Sequence, residues 1–289
     1  MPQSVEELVA LLELEEIEQG LYRGRQPRTE LQRVFGGQVA GQALAACTKT
    51  VPEERHVHSL HSYFLRPGDP TVPIVYDVEH IRDGGSFSSR RVVARQHGRV
   101  IFYLTASFQV AEPGPDHQDV MPDVTPPEEA PPLGEVLAAA TGRSAAQFEH
   151  EWAALDVRYA GDSRPGGALH DPDHPALARV WLRASAPLPD DVRLHACVLT
   201  YASDLTLLAV ALVPHGLVLG AKGLQTASLD HALWFHRPFR ADEWLLYDQV
   251  SPSASGARGL AIGRLFRRDG TLVATVAQEG LTRLVTPRE

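Results

Sequence analysis

The sequence predicts an α+β protein made of two copies of one unit, each an antiparallel sheet wrapped around a central helix. An internal repeat comes first. Tyr63-Phe64-Leu65-Arg66-Pro67 is echoed by Trp234-Phe235-His236-Arg237-Pro238, an offset of 171 residues from Arg66 to Arg237, and at that offset Ile74-Val75-Tyr76-Asp77 matches Leu245-Leu246-Tyr247-Asp248. Each half also runs in the same order: short strands, one mainly apolar stretch at helical spacing, then three or four long strands of alternating polarity. Strands gathered around one helix mean an antiparallel α+β unit, and a helix apolar nearly all round has to be enclosed by its sheet.

The elements follow in chain order. Ser4-Val5-Glu6-Glu7 reads as a capping box, and Val5, Leu8, Val9, Leu11 and Leu12 continue it at helical spacing. In the first half the helical run is expected over residues 41–51, ending at Pro52; its counterpart is expected over 203–213, ending at Pro214. A turn at Gln96-His97-Gly98 leads into the strand-like run 100–108, and Arg268-Asp269-Gly270 leads into 272–281 in the same way. Residues 112–132, with Pro126-Pro127 and Pro131-Pro132, form a semi-rigid linker, and a helix over 133–148 completes the connection. The division is therefore 1–111 for the first unit, 112–150 for the connection and 151–289 for the second unit.

Composition narrows the function. With 44% hydrophobic and 22% charged residues the chain has enough apolar side chains for a substantial core. A formal net charge of −9 disfavours nucleic acid, whose phosphates require a concentrated basic face. Lys49 and Lys222 are the only lysines; the remaining basic residues are arginines, which suit a small phosphorylated ligand. Cys47 and Cys197, one in each half, read as buried thiols, and two cysteines exclude a disulfide framework or a zinc site. The acidic start lacks a signal-peptide pattern, no membrane span is expected, and Thr286-Pro287-Arg288-Glu289 is not a peroxisomal tail. The expected location is cytoplasmic. No metal and no cofactor are expected.

Four motifs carry a resemblance: Arg33-Val34-Phe35-Gly36-Gly37-Gln38, His61-Ser62-Tyr63-Phe64-Leu65-Arg66-Pro67-Gly68, Tyr201-Ala202-Ser203-Asp204, and Asp230-His231-Ala232-Leu233-Trp234-Phe235-His236-Arg237-Pro238. Together they resemble the acyl-CoA thioesterase II (TesB-type) family over nearly the whole chain. The resemblance implies a double hot-dog fold and hydrolysis of a fatty acyl-CoA to fatty acid and CoA. It also implies a water held by an Asp on the second helix, a Thr or Ser on the next strand and a Gln on the last strand. Carried onto this chain these are Asp204, Ser228 and Gln278, with Ser where Thr is common.

Read without the resemblance, each residue has a plainer alternative. Asp204 is either the N-cap of a helix or, if that helix begins near Asp191, a lone acid within it. Gln278 shares a strand face with Leu272, Ala274 and Val276 and could mark a wet strand end. Ser228 alone is uninformative. The repeat acts as a control: aligning Pro52 with Pro214 sets Gln42 opposite Asp204, and the other matches set Val57 opposite Ser228 and Ala106 opposite Gln278. One half therefore carries the polar trio, and the other has lost it.

Further candidates have their own readings. Gly36 and Gly37 allow close backbone approach, either in packing or around a thioester, and Arg90, Arg91 and Arg258 are candidate contacts for CoA phosphates or solvated strand-end charges. His58 is a rival base; His56, His58 and His61 make a poor metal set, since His61 should face away. His170-Asp171-Pro172-Asp173-His174 reads as a surface loop, and no Gly-x-Ser-x-Gly elbow occurs. Two other classes remain open here: an enoyl-CoA hydratase or dehydratase, which needs an Asp/His pair, and a non-catalytic acyl-CoA binder. A homodimer or homotetramer is expected, because sheet edges remain to be paired.

Overall fold

A computed structural model describes residues 1–29, 31–169 and 175–285. The 170–174 segment read as a surface loop and the 286–289 tail lie outside the described residues. The fold is an α+β double hot dog. Its first half contains α1 (Val5–Leu12), β1 (Glu15–Glu18), β2 (Leu21–Gly24), α2 (Gly36–Thr48), β3 (Arg55–Phe64), β4 (Ile74–Asp83), β5 (Phe87–Gln96) and β6 (Arg99–Val110). After α3 (Leu133–Thr141) and α4 (Ala145–Glu151), the second half repeats the order. It has β7 (Leu155–Asp162), β8 (Leu177–Ala184), α5 (Val192–Ser203), β9 (Leu224–Ser228), β10 (Asp230–Phe235), β11 (Leu245–Ser255), β12 (Arg258–Arg267) and β13 (Leu272–Leu284).

All thirteen strands join one antiparallel sheet, ordered β1-β2-β4-β5-β6-β3-β10-β13-β12-β11-β8-β7, with β9 also on β13. The halves meet where β3 pairs with β10, through Leu60↔Leu233, His61↔Ala232 and Ser62↔His231. His61 and Ala232 are 171 residues apart, the repeat offset, so a pseudo-twofold axis passes between them. Each sheet half curls around its helix, and α2 and α5 pack antiparallel at the centre. Their contact is close enough to require glycine: a Cβ on Gly37 would stand 2.2 Å from the Tyr201 carbonyl oxygen.

Local chemistry sets the element ends. Ser4 caps α1 by accepting from the Glu7 N–H at 3.2 Å, while the Glu7 carboxylate reaches back to the Gln3 N–H rather than to that of Ser4. α2 starts at Gly36, five residues before the expected run; its glycines face the α5 backbone instead of breaking the helix. The second helix also starts early, at Val192, with Asp191 accepting from the Arg193 N–H. It ends at Asp204, and residues Leu207–His215 continue as a 3-10 helix. The expected 133–148 helix is split at Gly142, whose φ of +71° closes α3 in the left-handed region.

The linker is irregular and lies across the second half, where Thr125 accepts from the Trp181 indole and Asp119 and Glu128 pair with Arg264 and Arg268. Val192–His215 is apolar and long enough to cross a membrane, but its most apolar stretch is 83% buried inside the fold, as a core helix is. Cys47 and Cys197 are buried free thiols, and burial pushes Cys47 up to about 12.

Candidate active site

The apolar alternation of β13 turns Ala274, Val276 and Gln278 toward α5, and Gln278 is fully buried rather than at a wet strand end. Ser228 is the last residue of β9 and pairs with Gly280 on β13. Asp204 is the C-cap of α5, neither an N-cap nor mid-helix, and is 9% exposed. Strand and helix ends thus bring the three predicted residues together. The Gln278 amide and the Ser228 hydroxyl both donate to Asp204 Oδ1, at 2.5 and 3.1 Å.

The first half supplies the opposite wall. The Gly37 N–H, in the first turn of α2, lies close enough to the Asp204 carboxylate to favour its charged form. A Cβ on Gly36 would come 2.5 Å from Asp204 Oδ2, so the second carboxylate oxygen faces the start of α2 across a glycine. Burial pushes Asp204 up to about 6, against the opposing pull of the Gln278 and Ser228 donors and of the Gly37 N–H. Beside Ser228 and Gly36, which separate it from the acid, opens a cleft of about 330 Å³, walled also by Val39 and Phe64 and lined by Arg33 and Arg66. The sequence reading assigned neither arginine to the site, although Arg33 opens the first resemblance motif and Arg66 anchors the repeat.

Behind Asp204, Ser203 and the buried His231 ring are joined at 2.8 Å, and the Tyr247 hydroxyl donates to the Ser203 carbonyl at 3.1 Å. Burial holds His231 near 3, so its ring is neutral. These groups fix the turn that presents the acid; Ser203 lies in the Tyr201-to-Asp204 motif, His231 in the Asp230-to-Pro238 motif and Tyr247 in the repeated Leu245-to-Asp248 segment.

Several predicted residues lie elsewhere. Arg90 is 1% exposed, and its guanidinium donates to the Thr50 and Arg82 carbonyls while pairing with Asp83, so it locks α2 to the sheet and is not open to phosphate. Arg91 is exposed and pairs with Glu79, and Arg258 is exposed and pairs with Glu279; neither lines the cleft. His58, the rival base, bonds Ser107 at 2.8 Å in a different cleft. Among the described residues no group of three His, Cys, Asp or Glu could hold a metal.

The repeat control needs one correction. Counted from the helix starts, Gly36 and Val192, the residue opposite Asp204 is Thr48, not Gln42. The helix contacts agree: at that offset Gly41 and Cys197 are counterparts, and they face each other across the pair, a Cβ on Gly41 standing 3.2 Å from the Cys197 carbonyl oxygen. Gln42 instead binds the Leu11 carbonyl and accepts from Tyr76 in the core. Strand register leaves Val57 and Ala106 opposite Ser228 and Gln278, as Val57↔Phe108 and Leu60↔Ala106 show in the first half.

The fold is a double hot dog with a buried, donor-ringed acid where its two halves meet. Residues 150–281 match the family model described as acyl-CoA thioesterase, and residues 25–109 match the acyl-CoA thioesterase N-terminal domain. The chain is 48% identical to the crystal structure of acyl-CoA thioesterase II TesB2 from Mycobacterium marinum, with TM-score 0.83 over 99% of this chain and 100% of that one. It is 40% identical to acyl-CoA thioesterase 2 of Haemophilus influenzae over 96% of each, and 43% identical to acyl-coenzyme A thioesterase 8 of Mus musculus over 96% of this chain and 89% of the relative. The chain belongs to the acyl-CoA thioesterase family and is a thioester hydrolase acting on acyl-CoA.

Proposed function

We propose that Asp204, Ser228 and Gln278 form the hydrolytic centre for fatty acyl-CoA. One observation carries this: two neutral donors converge on a single oxygen of a buried carboxylate, and one of them, Ser228, lines the cleft together with Gly36, which abuts the same carboxylate. Burying that charge costs several kcal/mol unless it is compensated, and the donors offset the cost only in part, leaving a base poised near neutral pH.

In the reaction Asp204 takes a proton from a water, whose oxygen attacks the thioester carbonyl carbon. The carbonyl oxygen becomes an oxyanion, and the Gly36 N–H, in the helix first turn where N–H groups have no intrahelical partner, is the donor placed to receive it. Collapse breaks the C–S bond, and the proton returns to the departing sulfur. The acyl chain runs along Val39 and Phe64, and Arg33 and Arg66 at the rim attract the CoA phosphates. Asp204→Asn should lower kcat in a thiol-release assay by about 10³-fold while the fold is kept. Near-normal turnover would sink the assignment.

We also infer a homodimer or homotetramer. The outer face of the central strands carries the Tyr63–Tyr103 and His61–Trp234 ring pairs, with Tyr63 half exposed.

A further inference from the structure

The pseudo-twofold axis that creates one working cleft also creates its image. On the other side of the α2–α5 pair lies a cleft of about 380 Å³. Its walls are the repeat counterparts of the active-site walls. Phe235 stands for Phe64, Arg237 for Arg66, Val57 for Ser228 and Val192 for Gly36. Where the active site has Gly280 against Ser228, the image has Phe108 against Val57.

At the positions of the trio and its facing glycines, Thr48, Val57 and Ala106 stand for acid, hydroxyl and amide, and Val192 and Phe108 stand for Gly36 and Gly280. Those positions offer no carboxylate to activate water, while His56, His58 and His236 stand where the active-site cleft has Ala227, Leu229 and Leu65, and His58 is held by Ser107 at 2.8 Å. A cleft that was merely decaying would be expected to fill in; this one is still open and lined by Val57, Phe108, Val192 and Phe235. Its rim carries Arg55, Arg193 and Arg237 against Glu112 and the Asp116 that pairs with Arg237; Arg55 and Arg193 bond backbone carbonyls and have no acid partner among the described residues, so the rim keeps a net positive charge.

We propose that the image cleft binds a long acyl chain with an anionic head, as a thioester or as the released acid, and holds it without cleaving it. Apolar walls take the chain, and the cationic rim takes the carboxylate or the CoA phosphates. The inference rests on acyl-CoA being this chain's substrate, but not on which residues hydrolyse it. Each chain therefore carries two acyl sites, one that turns over and one that does not.

Calorimetric titration of the full chain with an S-alkyl-CoA thioether, which has no carbonyl to attack, counts the sites. Two equivalents per chain are expected, and one equivalent would overturn the proposal. Val192→Trp, at an exposed helix start that lines the image cleft and not the active-site cleft, should remove one equivalent and leave kcat/KM unchanged. Val57→Trp is the second variant, and two equivalents retained in both would also overturn it. A parallel titration with the free fatty acid distinguishes the ligand sources: loss of its second equivalent in Val192→Trp assigns the released acid, and loss for the thioether alone assigns the thioester. Turnover by Asp204→Asn tests the hydrolytic centre separately and leaves this count unaffected.

Discussion

At the residue scale, Asp204 links chemistry to stability. Its folded value of about 6 lies above the ordinary 3.8, so the folded state holds the proton more tightly than the unfolded chain. Between about pH 4 and 6 the folded form carries more protons, and stability falls as pH rises through that window. The ionised acid then costs at most about 3 kcal/mol at neutral pH. Asp204→Asn should raise Tm relative to the wild type at pH 8 and make little difference at pH 4, a contrast thermal melts at the two values would show. A Gly36→Ala methyl would stand 2.5 Å from Asp204 Oδ2. Alanine suits a helix better than glycine by up to about 1 kcal/mol, so folding should hold while kcat falls on the order of 10²-fold. Equal losses of kcat and Tm would show that the glycine serves packing instead.

At the element scale, helix ends decide where chemistry sits. α5 stops at Asp204, α2 starts at Gly36, and the two ends meet because the helices run antiparallel. Arg90 fastens the other end of α2 through Thr50 and pairs with Asp83. Arg90→Met should cost about 2–4 kcal/mol in urea unfolding, since it strands buried carbonyls, and should leave KM for acyl-CoA unchanged. A raised KM with unaltered stability would return Arg90 to the phosphate site. Strands and repeat were legible in the sequence because period-2 alternation and the 171 offset survive in the residues themselves. Helix boundaries were not: Gly36-Gly37 looks like a turn until the α5 backbone is seen 2.2 Å from where a side chain would be. For the same reason prolines misaligned the helices, since Pro52 follows an α-helix and Pro214 lies inside a 3-10 segment. The trio came from the resemblance and the repeat asymmetry; the rim arginines were missed because nothing in a sequence distinguishes a rim from any other surface.

At the scale of the whole molecule, the sheet has two edges with different protection. β1 is four residues, three of them glutamate, and is short and charged enough to discourage pairing. The aromatic outer face is the better candidate for self-association. Light scattering across a dilution series should give a multiple of 31.6 kDa, and Tyr63→Glu with Tyr103→Glu should shift it toward the single chain. A wild-type protein that stays at 31.6 kDa and remains fully active would refute the assembly.

The seam strand has a history written into it. Because His61 faces its own repeat counterpart, β3 and β10 meet as sister strands would in a symmetric pair. A polypeptide ending after the first half would offer β3 unpaired, and the surface nearest to it in shape and register would be another β3. Each such pair would hold two acid-free clefts and no working site.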